Sequence, residues 1–185
     1  MNNIRLSDIL DGVEKIQRSH RSKVEVQHSH EISVETVLAA LNSFTEIVRY
    51  LNTRRSTGAI LELSNEAAVQ DVLYLMLRPL ILDLVPENPT DRVANRYSIK
   101  DFLSRSGRFV IEAKFVRNKD HGKLLAKEIN DDIETYRYHP YCDDLIFFVF
   151  DPDGNIPDAA ALERHVKTSR SYDGKNLRCH GIIKP

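Results

Sequence analysis

The sequence predicts an α/β protein, a mixed central sheet flanked by helices and entered through a helical extension. Three observations carry that expectation. Apolar residues recur at helical spacing up to about residue 80. Two strand-like runs, YSIKDFL and RFVIEAKFV, then follow one another across Ser104 to Gly107. Finally, LIFFVF at 145–150 is a continuous apolar run between Asp-Asp and Asp-Pro-Asp-Gly, the pattern of a strand buried on both faces.

Taken in order, Leu6, Ile9, Val13 and Ile16 predict a first helix near the cap candidate Ser7. The polar stretch HRSKVEVQHSHE predicts a loop with a short strand at VEV. Ser33 can cap a longer helix with the apolar stripe Val34, Val37, Leu41, Phe44, Val48 and Leu51. Ser64 opens a third, in which Val69, Val72, Leu73, Met76 and Leu80 face inward and Pro79 kinks the last turn. PENPTDR reads as a turn-rich break before the two strand runs. A helix follows from about Gly122 to Tyr138, stopped by His139-Pro140, another spans Pro157 to Lys167, and LRCHGIIKP forms a last strand. On this division residues 1–60 are a helical extension and 61–185 are the core.

A chain of 185 residues suffices for one domain with a real core, and 42% hydrophobic with 29% charged is ordinary globular composition. No apolar run approaches ~20 residues, so no membrane span is expected. The acid-containing N-terminus lacks a signal-peptide pattern. Cys142 and Cys179 are far apart and read as buried or incidental thiols, which together with the N-terminus predicts a cytoplasmic protein. The net charge of −1 conceals two opposed blocks. Ten Lys or Arg against three acids lie between Arg92 and Lys127, and ten acids against one Arg between Glu128 and Glu163. The first block could meet a polyanion; charge runs are also commonly just solvated surface.

The chemistry centres on the two strand runs. An even-numbered loop between them makes partner numbers sum to an odd value, so Glu112 lies opposite Asp101 or one diagonal step away. A period of two puts Lys114 on the face of Glu112, while Phe109, Ile111, Ala113 and Phe115 form the core face. Two close carboxylates repel unless a cation lies between them, and a hard divalent ion such as Mg²⁺ takes such oxygen ligands. Lys114 could hold the attacking water or offset charge on a phosphate. By itself E-x-K is also what any half-exposed strand shows. Glu66 stands early in the third helix, where it could overlook the sheet or serve only the helix dipole. Glu128 and Asp132, four residues apart with Tyr136 one turn on, face the metal cleft, the Lys/Arg-rich side of the hairpin or solvent, and Tyr136 reads as packing. His121 and His139 flank that helix as capping or solvated residues; His20, His28 and His30 belong to a polar loop.

From about Asn65 to Pro185 the chain resembles the PD-(D/E)XK nuclease superfamily, in its branch of DpnII/MboI-like restriction endonuclease domains. The residues that carry the resemblance are KDFL around Asp101, FVIEAKFVR around Glu112 and Lys114, KEINDDIETYRYHPYCDDLIFFVFDPDGNI, and ALERHV. The resemblance implies a restriction-endonuclease-like core and metal-dependent hydrolysis with Mg²⁺ or Mn²⁺. Asp101, Glu112 and the Ala113 carbonyl would be ligands, Lys114 the catalytic lysine and Glu66 the accessory carboxylate. Lys100 stands where the signature has proline. Arg92, Arg96, Arg105, Arg108, Arg117 and Lys119 would serve DNA phosphates, which position DNA without specifying its sequence.

The expected protein is thus a DNA endonuclease of restriction or anti-phage defence, working as a homo-oligomer or with an activating partner protein. Residues 1–60 would serve dimerisation or partner docking. The alternatives are a catalytically silent binding or assembly module on the same fold, and an RNase or single-strand nuclease.

Overall fold

The computed structural model of the chain describes residues 32–54, 58, 61–89, 99–168, 170–172 and 174–185. The helix expected around Leu6 to Ile16, the VEV strand, His20, His28 and His30, and both Arg92 and Arg96 lie outside the described residues.

Two helices come first, α1 (Val34–Asn42) and α2 (Phe44–Thr53). Ser33 caps α1 as its sequence position suggests, accepting the Thr36 N–H at 3.3 Å. The single long helix expected here breaks at Ser43, whose N–H turns back to Ala40 O at 3.0 Å in a tighter turn. Past the break, Phe44 enters the core, with its ring 4.8 Å from Phe148 and 5.5 Å from Phe150. Helix α3 (Glu66–Leu77) is capped by Asn65 rather than Ser64: the Asn65 side chain accepts the Ala68 N–H at 2.9 Å. It stops before Pro79 instead of kinking there, because proline offers no N–H to continue the ladder.

Strand β1 (Val85–Pro89) occupies the first part of the expected turn region and pairs antiparallel with β2 (Ile99–Ser104). Strand β3 (Phe109–Phe115) returns antiparallel to β2. Helix α4 (Lys119–Tyr136) starts three residues earlier than expected, because Asn118 caps it on the His121 N–H at 2.9 Å. Strand β4 (Asp144–Phe150) is buried along its whole length, as its composition predicts. Helix α5 (Ala159–Val166) leads to a three-residue β5 (Arg170–Tyr172) and to β6 (Lys175–Lys184).

The sheet runs β1-β2-β3-β4-β6-β5, with β3, β4 and β6 parallel and both flanks antiparallel. It is the mixed α/β sheet that the sequence predicts. One face carries Phe102, Phe109, Ile111, Ala113, Ile146 and Phe148 against Val37, Leu41, Phe44, Val69, Leu73 and Leu77 of α1, α2 and α3. The other carries Leu103, Val110, Leu145, Phe147 and Val149 against Leu125, Ile129, Ile133 and Tyr136 of α4 and Leu162 and Val166 of α5. At the sheet's outer edge β1 contains two prolines, Pro86 and Pro89. Cys142 and Cys179 are buried free thiols, and burial pushes the Cys142 thiol up to about 12. Among the described residues no helix is long and apolar enough to cross a membrane.

Candidate active site

The site forms where the β2–β3 hairpin opens. The ladder pairs Ser104 with Phe109, Leu103 with Val110 and Phe102 with Ile111, and one step further the same register sets Asp101 across from Glu112. There the backbone pairing stops and side chains replace it. Asp101 Oδ2 accepts the Ala113 N–H at 2.6 Å, and Glu66 Oε2 accepts the next such donor, the Phe115 N–H, at 3.3 Å. Gln70, one helical turn after Glu66, donates from Nε2 to Asp101 Oδ1 at 2.9 Å. Two strands and one helix therefore converge on a pair of carboxylates.

Glu112 is 4% exposed. The face it occupies was expected to be open, and α4 covers it. Tyr136, itself buried, donates its phenolic proton to Glu112 Oε1, a role beyond the packing expected of it. Asp132 stands one turn earlier on α4, with Oδ2 2.8 Å from Lys114 Nζ, an ion pair without hydrogen-bond alignment. Lys114 Nζ also lies 4.0 Å from Glu112 Oε2.

Electrostatics follow from this crowding. Burial, reinforced by the nearby charge of Asp101, pushes the Glu112 carboxyl up to about 8. Burial also raises Asp101, to about 6; the Ala113 N–H opposes the shift and the Glu66 charge adds to it. Burial alone would lower Lys114, but Asp132 and then Glu112 and Glu66 outweigh it and hold the ammonium above its usual range. Lys114 is a permanent cation here.

Beside Lys114 opens a cleft of about 410 Å³ bounded by Asn65, Glu66, Arg117, His121 and Glu128. His121 is neither a simple cap nor solvated, as its sequence position suggested. Its Nδ1 accepts the Arg117 N–H at 3.2 Å, which leaves the proton on Nε2, 3.3 Å from Glu128 Oε2. Glu128 and Asp132 thus both look onto the site rather than to solvent alone.

Asp101, Glu112, Lys114, Glu66 and Arg117 come together, with Lys119 opening the helix beside them. Arg105 and Arg108 do not join this group. They sit in the hairpin turn, roughly 20 Å along the strand from Lys114. Arg108 makes a paired contact with Asp143 at 2.5 and 2.9 Å, and Arg105 stacks 5.5 Å over the Tyr141 ring. Gln70 was missed by sequence reasoning, although its spacing of four from Glu66 was the available signal.

Oxygen donors from buried, mutually repelling carboxylates suit a hard divalent cation, with Asp101 and Glu112 as the central pair. The set is not drawn together as it stands: among the described residues no three His, Cys, Asp or Glu side chains are grouped to hold a metal ion. A family model described as the DpnII–MboI restriction endonuclease matches residues 35–177 of the chain. No curated protein and no solved structure matches it significantly.

Proposed function

The chain belongs to the DpnII–MboI restriction endonuclease family, and from that premise we propose that it hydrolyses DNA phosphodiester bonds in a metal-dependent reaction at the Asp101, Glu112 and Lys114 cluster. The observation that carries this reading is the burial of two opposed carboxylates, with pKa values raised by desolvation and by neighbouring carboxylate charge, beside a lysine that stays charged. Such a pair has a deficit of positive charge that a bound cation fills.

Asp101 and Glu112 would hold Mg²⁺ or Mn²⁺, with Glu66 and the Ala113 carbonyl as further oxygen donors. When bound, the ion supplies Lewis-acid polarisation of phosphate and water. Lys114, 2.8 Å from Asp132, is placed to offer its charge to a non-bridging phosphate oxygen or to orient the attacking water. Tyr136 holds Glu112 in place, and Asp132 directs Lys114. Arg117 lines the cleft and could meet an incoming backbone, with Lys119 two residues further on, while Arg105 and Arg108 could reach DNA only well away from the cut.

Restriction-family membership supports a role in restriction or anti-phage defence. Cutting both strands needs two sites, which supports a homo-oligomer. Residues 1–60 are where we place contact with a second copy or an activating partner, although α1 and α2 also pack on the sheet.

The test is conversion of supercoiled plasmid to nicked or linear DNA with Mg²⁺ or Mn²⁺, with Lys114→Ala and Glu112→Ala as controls. Cleavage by wild type alone is expected. Equal cleavage by Lys114→Ala would place the chemistry elsewhere, and metal binding without cleavage would identify a silent module.

A further inference from the structure

We propose that Gln70 is a positioning residue that sets the orientation of the Asp101 carboxylate for cation binding, an inference that rests on the reading of Asp101 as a metal ligand. An aspartate has two side-chain torsions, and the Ala113 N–H on Oδ2 at 2.6 Å restrains only one end of the carboxylate. Rotation about that hydrogen bond would still swing Oδ1. The Gln70 amide removes this freedom by donating to Oδ1 at 2.9 Å from a different element, so the plane is defined by two donors on opposite sides.

The placement is built into α3. Glu66 and Gln70 are one turn apart, and so share a helix face. Glu66 docks on the Phe115 N–H of β3 while Gln70 docks on Asp101 of β2. The helix thereby fixes both strands where their ladder has ended. An amide is suited to the task because it donates without adding a charge that would compete with a cation. Gln70 also borders a cavity of about 240 Å³ with Tyr74, Pro86 and Phe102, which leaves room for an unbranched apolar side chain at this position.

The experiment is isothermal titration of Mn²⁺ into the full chain, for wild type, Gln70→Met, Gln70→Asn and Asp101→Asn, with thermal unfolding measured beside it. Methionine keeps the length and loses the donor; asparagine keeps the amide but draws it back by one methylene. Both Gln70 variants are expected to bind Mn²⁺ about 10-fold more weakly, the scale of outer-shell effects on metal sites. Their unfolding midpoints should fall by no more than about 5 °C, the scale of one lost hydrogen bond, and Asp101→Asn should bind more weakly still. Wild-type affinity in both Gln70 variants alongside a weakened Asp101→Asn overturns the role of Gln70 and leaves the site reading standing. Undiminished affinity in Asp101→Asn overturns the site reading and this inference with it. Loss confined to a Gln70 variant whose midpoint falls by more than about 5 °C marks a structural role and also overturns the proposal.

Discussion

Replacing Lys114 by methionine separates its structural contribution from its chemical one. The side chain is 16% exposed and stands 2.8 Å from Asp132, which is 26% exposed. Exposed ion pairs contribute up to about 1 kcal/mol, whereas deleting one partner of a fully buried pair costs about 3–5 kcal/mol. The Lys114 pair lies between these limits and nearer the second, so Lys114→Met should cost about 2–3 kcal/mol. For a chain of this size that lowers the unfolding midpoint by roughly 5–10 °C. Adding Asp132→Asn removes the carboxylate left behind and should restore more than half of the loss. Cleavage should be absent in both variants, because neither returns a cation to the phosphate. The chain has no tryptophan, so urea unfolding is followed by far-ultraviolet circular dichroism, with plasmid conversion assayed in the same buffer. If the double variant cuts at the wild-type rate, Lys114 is only a strut. If the single variant is as stable as wild type, the burial argument is wrong.

Three further outcomes follow from the structure. Hydrogen bonds from Arg178 and His180 overcome the cost of burial and hold the Asp144 carboxyl at about 2, below its ordinary 3.8. This depressed value contributes about 2 kcal/mol above the ordinary value, which is lost as pH falls through the folded one. Wild type should therefore lose urea resistance more steeply than Asp144→Asn over that window, and parallel profiles would refute the assignment. Gly122→Ala, a change that in an exposed helix stabilises by about 1 kcal/mol, should destabilise here by about 1–3 kcal/mol. A Cβ at this position would lie 2.4 Å from the Asn155 carbonyl oxygen, and a raised midpoint would contradict the close approach. Tyr136→Phe strips Glu112 of its phenolic donor and should cost about 1.5 kcal/mol, read as a lower urea midpoint; an unchanged midpoint would show that the contact contributes nothing.

The opposition of Asp101 and Glu112 was legible in the sequence because hairpin register depends only on the parity of the partner sum, and Leu103 with Val110 satisfies it. The burial of β4 was legible because six consecutive apolar residues have no solvent face to spare. The break at Ser43 was not, since no glycine or proline marks it and the stripe continues through Phe44. Strand β1 was hidden by its own prolines, which read as a turn when no partner is in view, and a three-residue strand such as β5 leaves no periodic signal. At the site, E-x-K alternation suggested one wet face. Whether α4 would cover that face, bringing Tyr136 to Glu112 and Asp132 to Lys114, is set by tertiary packing and has no local signature. Gln70 and His121 were obscured for the same reason, since their partners lie on other elements or one to two helical turns away.

The β1 edge of the sheet limits how a second copy could be recruited. Strand β1 has proline at two of its five positions, three residues apart, and because strand N–H groups point alternately to either side, one amide donor that an incoming strand would require is missing. At the opposite side strand β5 spans three residues and covers only Lys175 to Leu177 of β6. Continuous sheet growth from one molecule into the next is disfavoured at the β1 end. Two cutting centres yoked through helices or loops rather than through the β1 edge could adjust their spacing to a duplex without disturbing the strand register that aligns Asp101 with Glu112.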